Sequence, residues 1–425
     1  MITPTGVSIA DYCAVLDNDV RSHARITFLM DNVVFEDSDF NFNGGIQLST
    51  YMNSENDLTF GSACCTEVSV CFVRSEKTDE LNWNKEFKLE FGTEIGGEIK
   101  WVTMGYFTGK RPVKTQKDTI EFVAYDRMAR LDRSADDFID LLTYPCTVRN
   151  IYDKLCEFVV LENVPGDEIA SAMSSVIPDG SRLQKGCTCR DIMRFVAEAN
   201  CCYSKINNDG KVQLIWYTDH TSDYQLDRNH CFDIDFTDLQ TYDRKKWGNL
   251  EPYQWKDMET TTYGDLDNAV TPLKIQAIKC VWEDPVYKTI TQPPQDGYTN
   301  HRVWANVESS RWQDLEQFTW GYVEISEETG EIYAIKNNPL LLLATDADIK
   351  AHLQLLVDRL QLLDVYYVAT VPAVGNWLIE TGDIISLEVQ KNVYTAYPIF
   401  NRVLTWNGAC TCDYESTGSM SRESA

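Results

Sequence analysis

Hydrophobic and polar residues alternate through the first third of the chain, which is the period of a β-strand with one buried face. In the segment 66–73, Val68, Val70 and Phe72 share one face. The same alternation occurs at 86–91, 98–107 and 119–124. Turns rich in glycine and proline separate these runs, so the pattern predicts a β-sandwich or barrel that extends to about residue 130.

A helical period begins after Tyr144 and Pro145. Thr147 can cap the start of a helix, because its hydroxyl can accept a backbone N–H of the first turn. Apolar residues then recur at helical spacing at Val148, Ile151, Tyr152, Leu155, Phe158 and Val159. This spacing predicts an amphipathic helix with its apolar stripe against a core.

A second helix is predicted from Thr188, which forms a variant of the capping box with Asp191. Its expected buried face consists of Ile192, Phe195, Val196 and Ala199. A hairpin follows, with strands at 202–206 and 212–216 around the turn 207–210. Two helices and a hairpin predict a small α+β domain.

The second half of the chain has a weaker pattern, and 273–282 is its clearest strand before residue 330. A long helix is predicted over 346–363, with Thr345 as its N-cap and Leu353 and Leu356 on its apolar face. The strand period then returns at 365–371, 377–380, 384–389, 397–406 and 410–415. The polar end, 416–425, is predicted to be a flexible tail.

Charge narrows the function classes. The chain has 425 residues and carries 65 acidic and 38 basic side chains, a formal balance of −27. An acidic chain without a clustered Lys/Arg stripe lacks the surface that binds phosphate tightly, so a nucleic-acid reader is not expected. The longest apolar run, 340–344, is far shorter than the roughly 20 residues that span a bilayer, and the N-terminus lacks a secretion signal. We therefore expect a soluble protein made without export.

The spacing of cysteines and histidines does not match a known metal-binding motif. The close cysteine pairs are Cys64 with Cys65, Cys187 with Cys189, Cys201 with Cys202, and Cys410 with Cys412. No pair has the C-x-x-C spacing of a zinc or redox motif, so the fourteen cysteines are predicted to be buried free thiols. The acidic stretch with His220, His230, Asp219, Asp223 and Asp227 could form a metal site, but a charged loop is the favoured interpretation.

Catalytic motifs are missing from the sequence. The nucleophile-elbow, zinc-protease and phosphate-loop patterns do not occur. Asp383 could act as a nucleophile, but a Gly-Asp pair between two apolar runs is more simply a turn. We therefore predict no catalytic, cofactor-binding or metal-binding residues and no cofactor, and we expect that the chain is not an enzyme.

Five segments in order resemble the baseplate hub, or tail-associated (tail tip), protein family of long-tailed bacteriophages. The segments are TFGS at 59–62 with EVSV at 67–70, MGYF at 104–107, IEFVAYDRM at 120–128, TCRDI at 188–192 with DGK at 209–211, and KNNPL at 336–340 with IETGDII at 379–385. Each motif is weak by itself. Their order and their spread over nearly the whole chain make the resemblance fairly specific.

The resemblance implies a mainly β fold with α+β domains, in which two tail-tube-like β-barrels accompany two smaller α+β domains. On this basis the first barrel is expected at 1–133 and the first α+β domain at 134–225. The second barrel is expected at 226–290 and 366–415, with an inserted α+β domain at 291–365 and the tail at 416–425.

The resemblance also implies a structural role at the virion tail tip or baseplate, with assembly in the host bacterial cytoplasm. A homotrimer would join the six-fold tail tube or distal tail protein above to a three-fold spike or fibre protein below, and would form the channel for DNA ejection without specific DNA binding. No stable membrane insertion is expected. The alternative, a carbohydrate-binding or glycan-degrading module, is suggested by the 11 tryptophans and the many carboxylates.

Overall fold

Strands dominate the fold. The structure, a computed structural model, describes residues 1–17, 21–52, 60–178, 180, 183, 185–216, 221–232, 275–282, 318–324, 331–341, 353–356, 359, 369–390 and 393–416. The strands, helices and contacts of the described structure lie within these ranges. The mainly β composition expected from the alternating pattern is confirmed.

The strands are, in chain order, β1 Ser22–Phe28, β2 Val33–Phe35, β3 Ile46–Tyr51, β4 Glu67–Val73, β5 Glu86–Ile95, β6 Glu98–Gly109, β7 Lys114–Thr115, β8 Thr119–Asp126, β9 Cys146–Thr147, β10 Val176–Ile177, β11 Tyr203–Ile206, β12 Val212–Ile215, β13 Thr221–Leu226, β14 Ile275–Trp282, β15 Phe318–Glu324, β16 Glu331–Lys336, β17 Ala369–Val374, β18 Ile384–Gln390, β19 Val393–Pro398, β20 Asn401–Trp406 and β21 Cys410–Ser416. The α-helices are α1 Ile9–Leu16, α2 Glu76–Asp79, α3 Asp136–Leu141, α4 Val148–Phe158, α5 Ala170–Ser174 and α6 Cys189–Ala199. Short 3-10 helices lie at Asp37–Asp39, Arg127–Leu131 and Pro339–Leu341.

One eleven-stranded antiparallel sheet organises the molecule. Its order is β17-β21-β20-β3-β4-β8-β6-β5-β1-β2, and β7 pairs with β8 beside this path. Strands from the two ends of the chain meet where β3 pairs with β20, with Leu48 opposite Leu404. Within the described strands the path is open, and it joins segments that the sequence pattern treats as two separate groups.

Alternation along the strands buries one face of this sheet. Trp83 lies at the centre of an aromatic cluster, with its ring centroid 4.8 Å from that of Phe122, 5.5 Å from that of Phe72 and 6.3 Å from that of Phe28. Burial of each phenylalanine stabilises the fold by roughly 1.5–3 kcal/mol. The apolar residues that the 66–73 pattern assigned to one face are buried together.

The two predicted helix caps are confirmed. The Thr147 hydroxyl accepts the backbone N–H of Asn150 at 3.1 Å at the start of α4. Thr188 and Asp191 form the reciprocal capping box at the start of α6. Both helices and the hairpin β11–β12, called here the α+β unit, contribute to a second core, and the predicted order of helix, helix and hairpin is confirmed.

Several predictions in the second half differ from the structure. A strand at 377–380 is wrong. Residues 377–379 are buried, but Asn376 holds them in a turn: its side-chain oxygen accepts the Leu378 N–H and its carbonyl oxygen accepts the Ile379 N–H. An apolar run can thus be core without being a strand. The single run 397–406 is divided between β19 and β20.

Other predictions in this half are confirmed or lie outside the described residues. The strand near 273–282 is confirmed as β14. Residues 353–356 and 359 are helical, while the rest of the predicted helix 346–363, with Thr345, lies outside the described residues, as does most of the tail at 416–425. Among the described residues, no helix combines the length and the apolar character needed to cross a membrane.

Candidate functional site: the outer face of the sheet

The sheet face opposite the apolar core is the candidate functional surface, called here the outer face. Side chains alternate between the two faces of a strand, so the residues between the buried ones point outward. Strand register places Asp413, Val403, Ser49, Glu67 and Tyr125 in one row across five neighbouring strands, from β21 to β8. The row is long, mixed in polarity and continuous across strands from both ends of the chain.

The charge on this part of the outer face has one sign. Glu67, Asp413 and Glu415 carry carboxylates there, and the side chain of Asp413 is exposed. Among the described strands from β17 to β8 along the sheet, Arg402 is the only Lys or Arg. Arg402 is buried on the opposite face, so it does not form a close ion pair with the outward carboxylates.

Arg402 instead organises the turn below the sheet. Its guanidinium donates hydrogen bonds to the carbonyl oxygens of Trp377 and Ile379. A guanidinium remains protonated when buried, so it needs such acceptors. Arg402 therefore fixes the turn that the sequence pattern predicted as a strand.

The other half of the outer face contains cations beside a carboxylate. Glu90 is paired with Arg25 at 2.8 Å and with Lys88 at 2.8 Å, and the Arg25 guanidinium lies 4.2 Å from the centroid of the Trp101 ring. The Glu90 carboxylate in this half is thus neutralised by two neighbouring cations.

Asp383 lies in a turn that joins the sheet to the N-terminal segment. Its Oδ2 accepts the Glu380 N–H at 2.8 Å, and its Oδ1 lies 2.6 Å from the Met1 ammonium. Both carboxylate oxygens are used in structural contacts. This arrangement fits the turn interpretation of the Gly-Asp pair.

A polar cleft of about 440 Å³ lies beside this turn, lined by residues 1–3, the hairpin turn 207–209 and residues 380–383 among others. Lys205 Nζ is 3.2 Å from Glu380 Oε1. Burial opposes ionisation of Glu380, but Lys205, the N-terminal ammonium and Arg402 outweigh it and lower the pKa of this carboxyl. The cleft is therefore a charge-paired junction between the hairpin and the turn.

His230 is not placed as a metal ligand. Its Nδ1 lies 2.6 Å from Asp227 Oδ1, and its Nε2 lies 3.1 Å from the carbonyl oxygen of Asp17. Burial opposes the charged ring, but the bonds to Asp17 and Asp227 outweigh it and raise the pKa of His230. His220 and Asp219 of the proposed cluster lie outside the described residues, as does the side chain of Asp223.

The cysteines whose side chains are described are free thiols, most of them buried. Burial raises the pKa of Cys65 to about 11 and that of Cys202 to about 12. Such thiols are poor nucleophiles at neutral pH. In the part of the chain that the structure describes, no group of three or more His, Cys, Asp and Glu side chains could hold a metal ion.

The sequence analysis did not single out the outward carboxylates Glu67, Asp413 and Glu415. They occupy the polar positions of strands that were recognised by their apolar positions, so the signal for them was the set of polar residues between the apolar ones. Register across strands distant in sequence was also needed, and β3 and β20 are about 350 residues apart. A single sequence does not specify such a pairing.

The relation of this chain to known proteins is visible in its fold and not in its sequence. No protein-family model matches the chain, and no curated protein matches it in sequence. The tail protein from Neisseria meningitidis MC58 is similar over 92% of this chain and 95% of its own, with a TM-score of 0.50 and 8% identity.

Two further structures cover the chain with lower scores. The 43 kDa tail protein of prophage MuSo2 from Shewanella oneidensis covers 93% of this chain and 98% of its own, with a TM-score of 0.48 and 10% identity. A component of the Escherichia coli type VI secretion system covers 96% and 76%, with a TM-score of 0.33 and 8% identity. The chain thus shares its overall fold with the Neisseria tail protein, and the resemblance to tail proteins indicated by the motifs is confirmed at the level of the fold.

Proposed function

We propose that this chain is a structural baseplate hub of a phage-type tail. In this role, three copies join a six-fold tail tube to a three-fold spike or fibre and surround the channel through which DNA leaves. The observation that carries the proposal is the near full-length similarity in fold to a tail protein. The order of the five motifs supports it independently.

A trimer can connect a six-fold partner to a three-fold partner. Two tube-like sheet regions in each subunit would supply six in a trimer, which matches a six-fold ring above and leaves three-fold symmetry below. The large sheet contains strands from both ends of the chain, so one subunit can present two such regions side by side. The outer face would then line the channel.

The channel assignment agrees with the charge of the outer face. Glu67, Asp413 and Glu415 present like charge to the phosphates of DNA, which would repel the DNA rather than hold it. This surface needs no catalytic group, and we propose a role without enzymatic activity.

Light scattering of the purified protein, alone and mixed with the tail-tube protein of the same phage, tests this function. A mass of three times the 48.6 kDa chain is expected for the protein alone, or that mass plus bound tube protein in the mixture, with a ring and central channel in electron micrographs. A strict monomer in both samples that binds a glycan would contradict the hub and favour a carbohydrate-binding module.

A further inference from the structure

The hairpin that links β6 to β8 is unusually basic for this chain. Residues 110–118 contain Lys110, Arg111, Lys114 and Lys117, with Asp118 as their single carboxylate. The chain as a whole has 27 more acidic than basic side chains. This segment, called here the basic hairpin, is therefore a local reversal of charge.

Three cations of the basic hairpin, Lys110, Arg111 and Lys117, have no ion-pair partner among the described residues. The side chains of Lys110, Arg111 and Lys117 are all exposed. The cations on either side of them in sequence are paired: Lys100 lies 2.6 Å from Glu98, and Arg127 lies 2.7 Å from Glu86. The chain has more carboxylates than cations, so a shortage of carboxylates does not explain why these three cations are unpaired. Their position in the hairpin does.

Backbone hydrogen bonds hold the hairpin in a defined shape. The Val113 N–H donates to the carbonyl oxygen of Glu121 at 2.8 Å, and the Gln116 N–H donates to that of Thr119 at 2.8 Å. The Val113 side chain is 67% exposed. A fixed loop with three free cations presents a charged surface that is complementary to carboxylates on a partner.

We propose that the basic hairpin docks on a carboxylate-bearing surface of a second copy of this chain, and that this contact joins neighbouring subunits. The inference rests on the proposed trimer and names the element that builds its interface. A projecting element that contacts a different surface of the next copy gives a heterologous contact, and a three-fold rotation closes such contacts into a ring.

Charge complementarity favours a second copy over nucleic acid. The rest of the chain supplies many exposed carboxylates, such as Glu36, Glu76 and Glu80. A nucleic acid approaching the hairpin would meet the repulsion of a surface with a net charge of −27. The hairpin also contains no aromatic side chain on which a base could stack.

Carbodiimide cross-linking of a mixture of unlabelled and ¹⁵N-labelled protein tests the contact. The reagent joins a lysine amine to a carboxylate only when the two groups already touch. Cross-links from Lys110 or Lys117 to Asp or Glu are expected in peptide pairs that combine one light and one heavy chain. Assembled protein whose hairpin lysines form only links within one chain, or none, would overturn the proposal, as would protein that does not self-associate.

Charge reversal provides the second test. The variant K110E/R111E/K117E is expected to weaken self-association at least about tenfold at low salt, and high salt is expected to weaken the wild type similarly. R111E compared with K154E is the matched control, because each changes one exposed cation by two charges and only Arg111 belongs to the hairpin. Equal effects of R111E and K154E would contradict a specific contact.

The outcomes separate this contact from the hub function. A trimer that persists in K110E/R111E/K117E would retain the hub and reject the basic hairpin as its interface. Assembly through the hairpin into a species other than a trimer would do the reverse. A variant that keeps the wild-type mass but loses affinity for a DNA duplex would show that the hairpin contacts nucleic acid, and the proposal would then be wrong.

Discussion

Gly45 allows strands from the two ends of the chain, β3 and β20, to approach each other closely. It has φ of +57° and immediately precedes β3, and a Cβ built on it would lie 2.2 Å from the carbonyl oxygen of Trp406 in β20. A backbone atom cannot move aside as the end of a side chain can. Glycine is therefore required for both conformation and space at this position.

Replacement of Gly45 by alanine is expected to lower the free energy of unfolding by about 2–4 kcal/mol, because positive φ and the collision with β20 both act against Cβ. Urea denaturation measures the change. Gly96→Ala is the matched control, since Gly96 has φ of +64° but open space around its Cβ position. Its expected loss is only about 1 kcal/mol, and equal losses would contradict a close approach at Gly45.

Asp126 is a buried carboxyl at the start of the 3-10 helix Arg127–Leu131. It accepts the backbone N–H groups of Thr66 and Met128, each at 2.9 Å. Burial nevertheless raises its pKa to about 6, because desolvation outweighs these bonds. The folded state therefore binds this proton more tightly than the unfolded state does.

The raised pKa of Asp126 fixes the sign of a pH dependence. The stability due to the bound proton is present below the unfolded pKa near 4 and is lost as pH rises to about 6. Wild type should thus lose about 2 kcal/mol relative to Asp126→Asn, which does not titrate, between pH 4 and pH 7. Urea denaturation of both proteins at several pH values checks this, and a constant difference would contradict it.

At the scale of elements, Arg127 joins the sheet to the α+β unit. Its Nε and one terminal nitrogen contact the two oxygens of Glu86 at 2.7 and 2.8 Å, and its other terminal nitrogen donates to the carbonyl oxygen of Gly210 at 3.0 Å. The guanidinium also lies 4.8 Å from the centroid of the Tyr106 ring. One planar side chain thus connects β5, β6 and the turn of the β11–β12 hairpin.

Lysine cannot reproduce this geometry, because an ammonium group provides no planar fork. Arg127→Lys is expected to lower the free energy of unfolding by about 1–2 kcal/mol and to speed amide exchange in the β11–β12 turn. Arg149→Lys serves as the control, since Arg149 is 40% exposed and lies 3.3 Å from Glu168. A loss at Arg127 no larger than that at Arg149 would contradict a role in joining the two units.

Elements also show what the sequence could and could not predict. The strand β4 and the caps at Thr147 and Thr188 follow from local periodicity and hydrogen-bonding chemistry, so they were predictable. The turn at 377–380 was not, because its backbone is held by hydrogen bonds to Arg402 and Asn376 rather than by strand pairing. The acidic outer face depended on a pairing between β3 and β20 that no local pattern encodes.

At the scale of the whole molecule, the uneven charge of the sheet has a functional consequence if the outer face lines the channel. Carboxylates that repel phosphate keep DNA from adhering to the wall, and removal of their charge should create places where DNA lingers. The triple variant E67Q/D413N/E415Q is therefore expected to slow DNA ejection from virions that contain it. The fluorescence of a dye that binds the released DNA outside the particle measures the ejection rate.

The matched control neutralises three exposed carboxylates outside the large sheet, in D137N/E157Q/D209N. Both variants change the net charge of the chain by the same amount, so a difference between them reports the position of the charge and not its total. Slower ejection in the sheet variant alone is expected, with equal particle numbers in electron micrographs showing that assembly is unaffected. Unchanged ejection kinetics in E67Q/D413N/E415Q would contradict the assignment of this face to the channel, because three charges removed from a confined wall should be felt by every phosphate that passes.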